Sequence, residues 1–262
     1  MNSTVKRFPR SRIATLDVVD IGKRKHHIPA LIEVDVTDAR QLIREAKERG
    51  ESVSLTSWLM KLIALTVKKY ESAAGYLKDK RHIEIFDDIN ISIIVEKEIR
   101  GKKVPIPLLI EKVQNRSIAS IHDEIQNAKT SVLKDKDIVL QKRSSRLERL
   151  YYNLPGSFRR AFWKRMLKRP AAAYKRMGNV SVTSVGMMGN VSGWFIPTAV
   201  HPLGFGISGI TKKPVGMNGE IVLRDMLNMT ILLDHDVIDG ANMARFIADL
   251  SSNIESAVEL RT

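Results

Sequence analysis

The residue types best suited to chemistry cluster near the end of the chain, in Asp234-His235-Asp236-Val237-Ile238-Asp239-Gly240, just after an apolar run. An imidazole that titrates near neutrality can take up and return a proton, and a neighbouring carboxylate can fix its orientation. The same residues could gather a metal ion. They could also do no more than close a strand-to-helix turn, with Asp239-Gly240 as punctuation and acids at the helix N-terminus. Metal is the weakest of the three readings, because the histidines at 26, 27, 82, 122 and 201 show no ligand spacing. The local residues leave the rest open.

Composition removes whole classes of chemistry. There is no cysteine among the 262 residues, which excludes a thiolate nucleophile, a disulfide framework and cysteine-ligated zinc. A reducing cytoplasm is compatible with that usage. Met1 to Asp20 carries no apolar signal-peptide core, and no apolar run approaches the ~18 residues of a spanning helix. The length suits one large domain with a substantial core, or two small ones, and a hydrophobic content of 44% is ordinary for a globular protein.

The net charge of +14 is local. Between Lys142 and Arg176 stand twelve Lys or Arg and one acid, Glu148, so that window carries most of the excess. Such a stretch attracts phosphates, acidic lipid head groups, nucleic acid or an acidic protein.

The elements that must position the histidine are readable in outline. Residues 29–36 alternate as a strand, and Thr37 is placed to cap a helix with Ala39, Leu42, Ile43 and Ala46 on one face, stopped by Gly50. Leu55 to Lys69 reads as a mostly buried helix. His82 to Val95 gives one or two strands, Val104 to Ile110 a strand whose prolines suggest an edge or a bend, and Ile118 to Leu133 a helix. Ser157 is expected to cap a basic helix to Arg169, with Phe158, Phe162, Trp163, Met166 and Leu167 on one side and Arg159, Arg160, Lys164, Arg165, Lys168 and Arg169 on the other. Strands follow at 180–185, 205–211, 220–223 and 227–233, then a helix over 237–258 with Met243, Phe246, Ile247, Leu250, Ile254 and Val258 in register. The pattern is α+β, in one domain over 1–262, with a basic helical insertion at about 142–176.

Two stretches, Lys213-Pro-Val-Gly-Met-Asn-Gly-Glu-Ile-Val-Leu-Arg224 and Leu232-Leu-Asp-His-Asp-Val-Ile-Asp-Gly-Ala-Asn-Met-Ala-Arg-Phe246, strongly resemble the catalytic core of the 2-oxo acid dehydrogenase dihydrolipoamide acyltransferases, and more distantly chloramphenicol acetyltransferase. The shared motif is His-x-x-x-Asp-Gly. Arg10-Ser-Arg-Ile-Ala14, Ile28-Pro29, Glu33-Val-Asp-Val-Thr37, Asn90-Ile-Ser-Ile, Val104-Pro-Ile-Pro and Gly178-Asn-Val-Ser-Val-Thr-Ser-Val-Gly186 fall in the family's order. The likeness covers nearly all of the chain except roughly 125–176.

The resemblance implies the coenzyme A-dependent acyltransferase fold, a mixed sheet flanked by helices, assembled as a homotrimer with each active site at a subunit interface. It implies acyl transfer between coenzyme A, as substrate, and a thiol, hydroxyl or amine acceptor. His235 maps to the general base, Thr183 to the oxyanion donor, and Asp239 to a structural carboxylate paired with Arg10. No residue is assigned to coenzyme A, and no metal is implied. Asp236 stands where the family has arginine, which favours a protonated His235 and unsettles the usual local ion pairing. Thr183 replaces serine, and the lipoyl and subunit-binding modules that precede the family's core are expected to be absent. The lipoyl group would then sit on a separate lipoyl or carrier protein.

The basic stretch has further readings: a grip on coenzyme A phosphates, a partner protein, or an anionic membrane surface met by residues 157–169. No nucleic-acid motif accompanies the charge. A cytoplasmic protein peripheral to a membrane is one expectation. The rival to catalysis is a non-catalytic trimeric assembly protein or membrane-surface scaffold that keeps the fold.

Overall fold

A computed structural model describes residues 3–5, 11–99, 102–130, 151–186 and 192–261. Arg10 and the stretch 131–150 lie outside the described residues. Six strands make one mixed sheet, in the order β1-β8-β7-β6-β4-β5. They are β1 (His27–Asp35), β4 (Ile91–Ile99), β5 (Lys102–Ile110), β6 (Val180–Ser184), β7 (Leu203–Met217) and β8 (Glu220–Asp234). The parallel pairs are β4 with β6 and β6 with β7, and the other pairs are antiparallel. Two-residue strands β2 (Tyr76–Leu77) and β3 (Ile83–Glu84) form a separate pair.

The helices are α1 (Ser11–Gly22), α2 (Thr37–Glu48), α3 (Leu55–Lys69), α4 (Ile118–Thr130), α5 (Gly156–Leu167), α6 (Pro170–Met177) and α7 (Gly240–Glu255). Helix α3 is apolar almost all round and buries ten residues, including Trp58, Leu59 and Ile63, between α4 and α7. Its start is fixed by a reciprocal Ser54–Ser57 capping box. Helices α3, α4 and α7 share a core with the inward side chains Val34, Ile91, Ile93, Val182, Phe205 and Ile231 of the sheet. The edge position of β5 accommodates Pro105 and Pro107, which have no N–H to give a ladder.

Gly178 admits β6 to the sheet. Its φ is +73°, and a Cβ there would lie 2.2 Å from the carbonyl oxygen of Asn90. Only glycine tolerates both conditions. Asn90 and Asn179 then lace β4 to β6: Asn90 N–H donates to Asn179 Oδ1 at 2.9 Å, and Asn179 N–H to Asn90 O at 3.0 Å.

Several expected boundaries move for identifiable reasons. The strands expected at 205–211, 220–223 and 227–233 are two 15-residue strands, β7 and β8, turned by Asn218 (φ +52°) and Gly219 (φ +83°). An Asn-Gly turn matches the strand twist, so pairing continues past the core to an exposed hairpin tip. Thr37 does not cap α2. Val36 holds that position, and the Thr37 hydroxyl instead accepts the Asp225 N–H at 2.7 Å, because β8 runs beside it. Ser157 does not cap α5 either, since Pro155, already at φ −55°, starts the helix earlier.

The sorting of α5 also differs from the expectation. Phe158 and Phe162 are 64% and 44% exposed, while Arg159 faces inward with Trp163 and Met166. The cause is Asp17, a buried carboxylate on α1. Asp17 Oδ2 accepts from Arg159 Nε at 2.7 Å and from Tyr151 Oη at 3.0 Å, while Trp163 Nε1 donates to Tyr151 Oη at 2.8 Å. A buried charge outranks an apolar face in setting the helix rotation, because leaving it bare costs more. Arg159→Ala is expected to destabilise the protein by about 3 kcal/mol in a denaturant titration by stranding Asp17. Phe158→Ser is expected to shift stability by less than about 0.5 kcal/mol.

Candidate active site

Strand β8, next to the edge strand β1, is buried along its second half and ends at Asp234, whose side chain is fully enclosed. Lys25 Nζ donates to the Asp234 carboxylate at 2.6 Å, so the buried charge is neutralised. The Asp234 carbonyl accepts the N–H groups of Val237 and Ile238, and its own N–H donates to Pro202 O. These bonds build a tight turn in which the residue after the strand must point outward.

That residue is His235. Its side chain is exposed, and its N–H donates to His26 O at 3.0 Å. Asp236 is drawn away to the residue just before β1, where the His26 ring meets both its carboxylate oxygens at 2.9 and 3.1 Å. The hydrogen bond to Asp236, then its charge, hold the His26 imidazole above the ordinary histidine range. The ion pairing unsettled by Asp236 is thus taken up by His26. Asp239 caps α7, its carboxylate accepting the Asn242 N–H at 2.9 Å. Its expected partner, Arg10, lies outside the described residues.

A histidine ladder backs the turn. His27 Nε2 donates to His201 O at 2.9 Å, and His201 Nε2 donates to Met177 O at 2.9 Å at the end of α6. Burial pushes His201 down to about 4 and lowers His27 as well. Burial thus favours the neutral form of both rings, with the donor nitrogen on the side of each carbonyl. Sequence reasoning missed Lys25, His26, His27 and His201. The only signal was the adjacent pair His26-His27, and nothing local says that β1 begins beside the end of β8.

Thr183 stands on β6, half-buried. Val180 and Val182 face the helical core, so alternation puts Thr183 on the opposite side of the sheet. There it lies across from Gly206, which must be glycine because a Cβ would sit 2.4 Å from Phe195 O. Gly206 pairs in turn with Thr230 on β8, and His235 is five residues beyond Thr230. Strand spacings then separate Thr183 from His235 by roughly 16 Å along the sheet and about 10 Å across it. One chain does not bring the two side chains together.

The fold is the one found in chloramphenicol acetyltransferase, with a TM-score of 0.51 at 10% identity over 98% of this chain and 100% of that one. The alignment is tighter with the dihydrolipoamide acetyltransferase of Azotobacter vinelandii: TM-score 0.70, 15% identity, 99% of this chain and 95% of that one. In sequence, the chain is 25% identical over 263 residues to the lipoamide acyltransferase component of the branched-chain alpha-keto acid dehydrogenase complex of Bacillus subtilis, covering 97% of this chain and 53% of the relative. Residues 10–138 and 171–261 match the 2-oxoacid dehydrogenases acyltransferase (catalytic domain) family, and the chain belongs to that family. It spans about half the length of the curated relatives it matches.

The neutral ladder has a pH signature. The unfolded chain protonates histidine near 6.5, whereas folded His201 resists down to about 4. Its contribution is therefore complete above the unfolded value and lost as pH falls from about 6.5 to about 4. Urea titrations across that window should show a loss of about 3 kcal/mol, and His201→Gln should flatten it.

Proposed function

We propose that this chain catalyses acyl transfer between coenzyme A and a thiol, hydroxyl or amine acceptor, with His235 as general base and Thr183 as oxyanion donor. The observation that carries this reading is the family match, which takes in both residues. A second observation supports the assignment of roles. The Azotobacter enzyme was studied for the role of a serine, a histidine and an asparagine in its catalytic mechanism. Its serine and histidine are separated by as many residues as Thr183 and His235, and its histidine and asparagine by as many as His235 and Asp239.

In this mechanism the acceptor gives its proton to His235 as its sulfur, oxygen or nitrogen bonds to the thioester carbon. The carbonyl oxygen becomes an oxyanion, and the Thr183 hydroxyl donates to it. The oxyanion then collapses, the carbon–sulfur bond to coenzyme A breaks, and the leaving thiolate takes the proton back from His235. No acyl group rests on the protein, so transfer is direct within a ternary complex. Asp239 holds the turn through its cap on α7, and its pairing with Arg10 is part of the same proposal.

Thr183 and His235 lie too far apart in one chain to share a tetrahedral centre, so the reading requires each site to combine His235 of one subunit with Thr183 of a neighbour. Exposed apolar side chains support an assembly: Leu31 on β1, Trp194 and Ile196 beside β7, and Ile221 (81% exposed) and Leu223 at the hairpin tip. A homotrimer is the proposed state, with the acceptor presented by a separate lipoyl or carrier protein. Light scattering should give about three times the 29.6 kDa chain mass; a monomer at working concentration removes the shared site.

The direct test is thiol release from acyl-coenzyme A donors with dihydrolipoamide, alcohols and amines as acceptors. His235→Ala should lower acceptor-dependent turnover about 10²–10⁴-fold. Thr183→Ala should cost about 10²–10³-fold and Thr183→Ser should restore most of it. A wild-type protein that neither turns over nor binds coenzyme A is the non-catalytic assembly protein instead.

A further inference from the structure

Residues 151–177 contain eight Lys or Arg and no acid. Among the described residues only one of the eight, Arg159, is ion-paired to a carboxylate. The others are not spread evenly. Phe158, Phe162 and Arg165 follow one another at spacings of four and three, which places them on a single stripe of α5, and Arg169 stands in the turn between α5 and α6. All four are exposed. Next to that stripe, the inward residues Arg159, Trp163 and Met166 hold α5 on α1, so its orientation is fixed.

Helix α6 turns back at Pro170 and completes a cup. Arg165, Arg169 and Arg176 rim it, and Phe162, Met166 and Ala172 form its apolar wall around about 250 Å³. The Arg176 guanidinium lies 5.9 Å from the centre of the Phe162 ring. Three arginines line this one cup with no carboxylate among its lining residues, and such a lining is complementary to a phosphoryl group, which guanidinium binds bidentately. The exposed phenylalanines argue that the phosphoryl group is not free in solution. Phe158 has no role in a small-anion site, yet a basic helix pair with aromatic rings on its outer face matches a lipid interface, where rings enter the head-group boundary and guanidiniums meet the phosphates. Residues 139–170, which include all of α5, fall outside the family match, so the cup is built largely from sequence that the shared acyltransfer chemistry does not explain.

We propose that the face formed by Phe158, Phe162, Arg165, Arg169 and Arg176 is a docking site for an anionic phospholipid surface, with a lipid phosphate seated in the arginine cup. The site is independent of His235 and Thr183. It seats the protein on a membrane without any spanning segment, and among the described residues no helix is long and apolar enough to cross one.

The test is co-sedimentation of the whole protein with vesicles at about 0.1 M salt. Vesicles of phosphatidylcholine alone are compared with vesicles containing about one-third phosphatidylglycerol. Wild type is expected to pellet with the anionic vesicles only. The triple variant Arg165→Ala, Arg169→Ala, Arg176→Ala should lose at least about tenfold in partition. Phe158→Ser should weaken binding with charge unchanged. The control Arg160→Ala, Lys164→Ala, Lys168→Ala removes the same charge from another face of α5 and should lose much less. Thermal melts confirm that each variant is folded, which their exposed positions favour.

Equal losses in the two triple variants would reduce the site to diffuse charge and overturn it. So would an unchanged Phe158→Ser, or no binding to anionic vesicles by folded wild type. Isothermal titration with glycerol 3-phosphate separates the remaining source: saturable binding of that soluble phosphate, abolished in the arginine triple variant and with no vesicle binding, would assign the cup to a soluble ligand and overturn the membrane reading.

Discussion

The neutralisation of Asp234 by Lys25 is the interaction on which the site depends. A carboxylate at the end of a strand buried on both faces is costly unless a cation and hydrogen bonds satisfy it. Lys25 supplies the cation from the segment just before β1, and the Asp236 N–H adds a longer contact at 3.3 Å. With the strand end pinned and two N–H groups folded back on the Asp234 carbonyl, the chain has one way to leave the sheet. That exit turns His235 to solvent and delivers Asp239 to the start of α7. Changes at Lys25 or Asp234 would therefore reach His235 through backbone position, with no contact to any substrate.

The same end of the sheet is where distant segments meet. Through its ring and its carbonyl, His201 ties the last turn of α6 to the first residue of β1. His26 lends its carbonyl to His235 and its ring to Asp236. Helix α6 is in turn continuous with the basic pair α5–α6, itself locked to α1 by Asp17 and Arg159. A physical path of hydrogen bonds and packed helices thus runs from the basic face to the histidine turn. It is a structural connection; energetic coupling along such a path requires an element with two states.

Much of this was legible from particular residues. Helix α3 was bounded correctly at Leu55 and Lys69, because a long apolar stripe leaves little freedom. The edge placement of β5 followed from Pro105 and Pro107. The α+β class and the family both followed from ordered motifs, and His235 stood out by its flanking carboxylates. Helix caps were less legible. Thr37 and Ser157 are good capping residues, but one found a strand N–H to accept and the other was forestalled by a proline. The inward face of α5 was misplaced because apolar periodicity takes no account of a buried carboxylate on another helix.

The sequence by itself determined which residues can do chemistry, what chemistry cysteine usage forbids, and which elements form, since these rest on side-chain types and on periodicities of a few residues. Only the tertiary structure decided what each residue meets. That Lys25 neutralises Asp234, that His26 takes Asp236, and that Thr183 and His235 lie far apart along the sheet are consequences of strand order and register, and that Asp17 rotates α5 is a consequence of helix packing. These contacts join residues as many as 210 positions apart. The contacts follow from burial accumulated over the whole sheet, and no short window of sequence contains it.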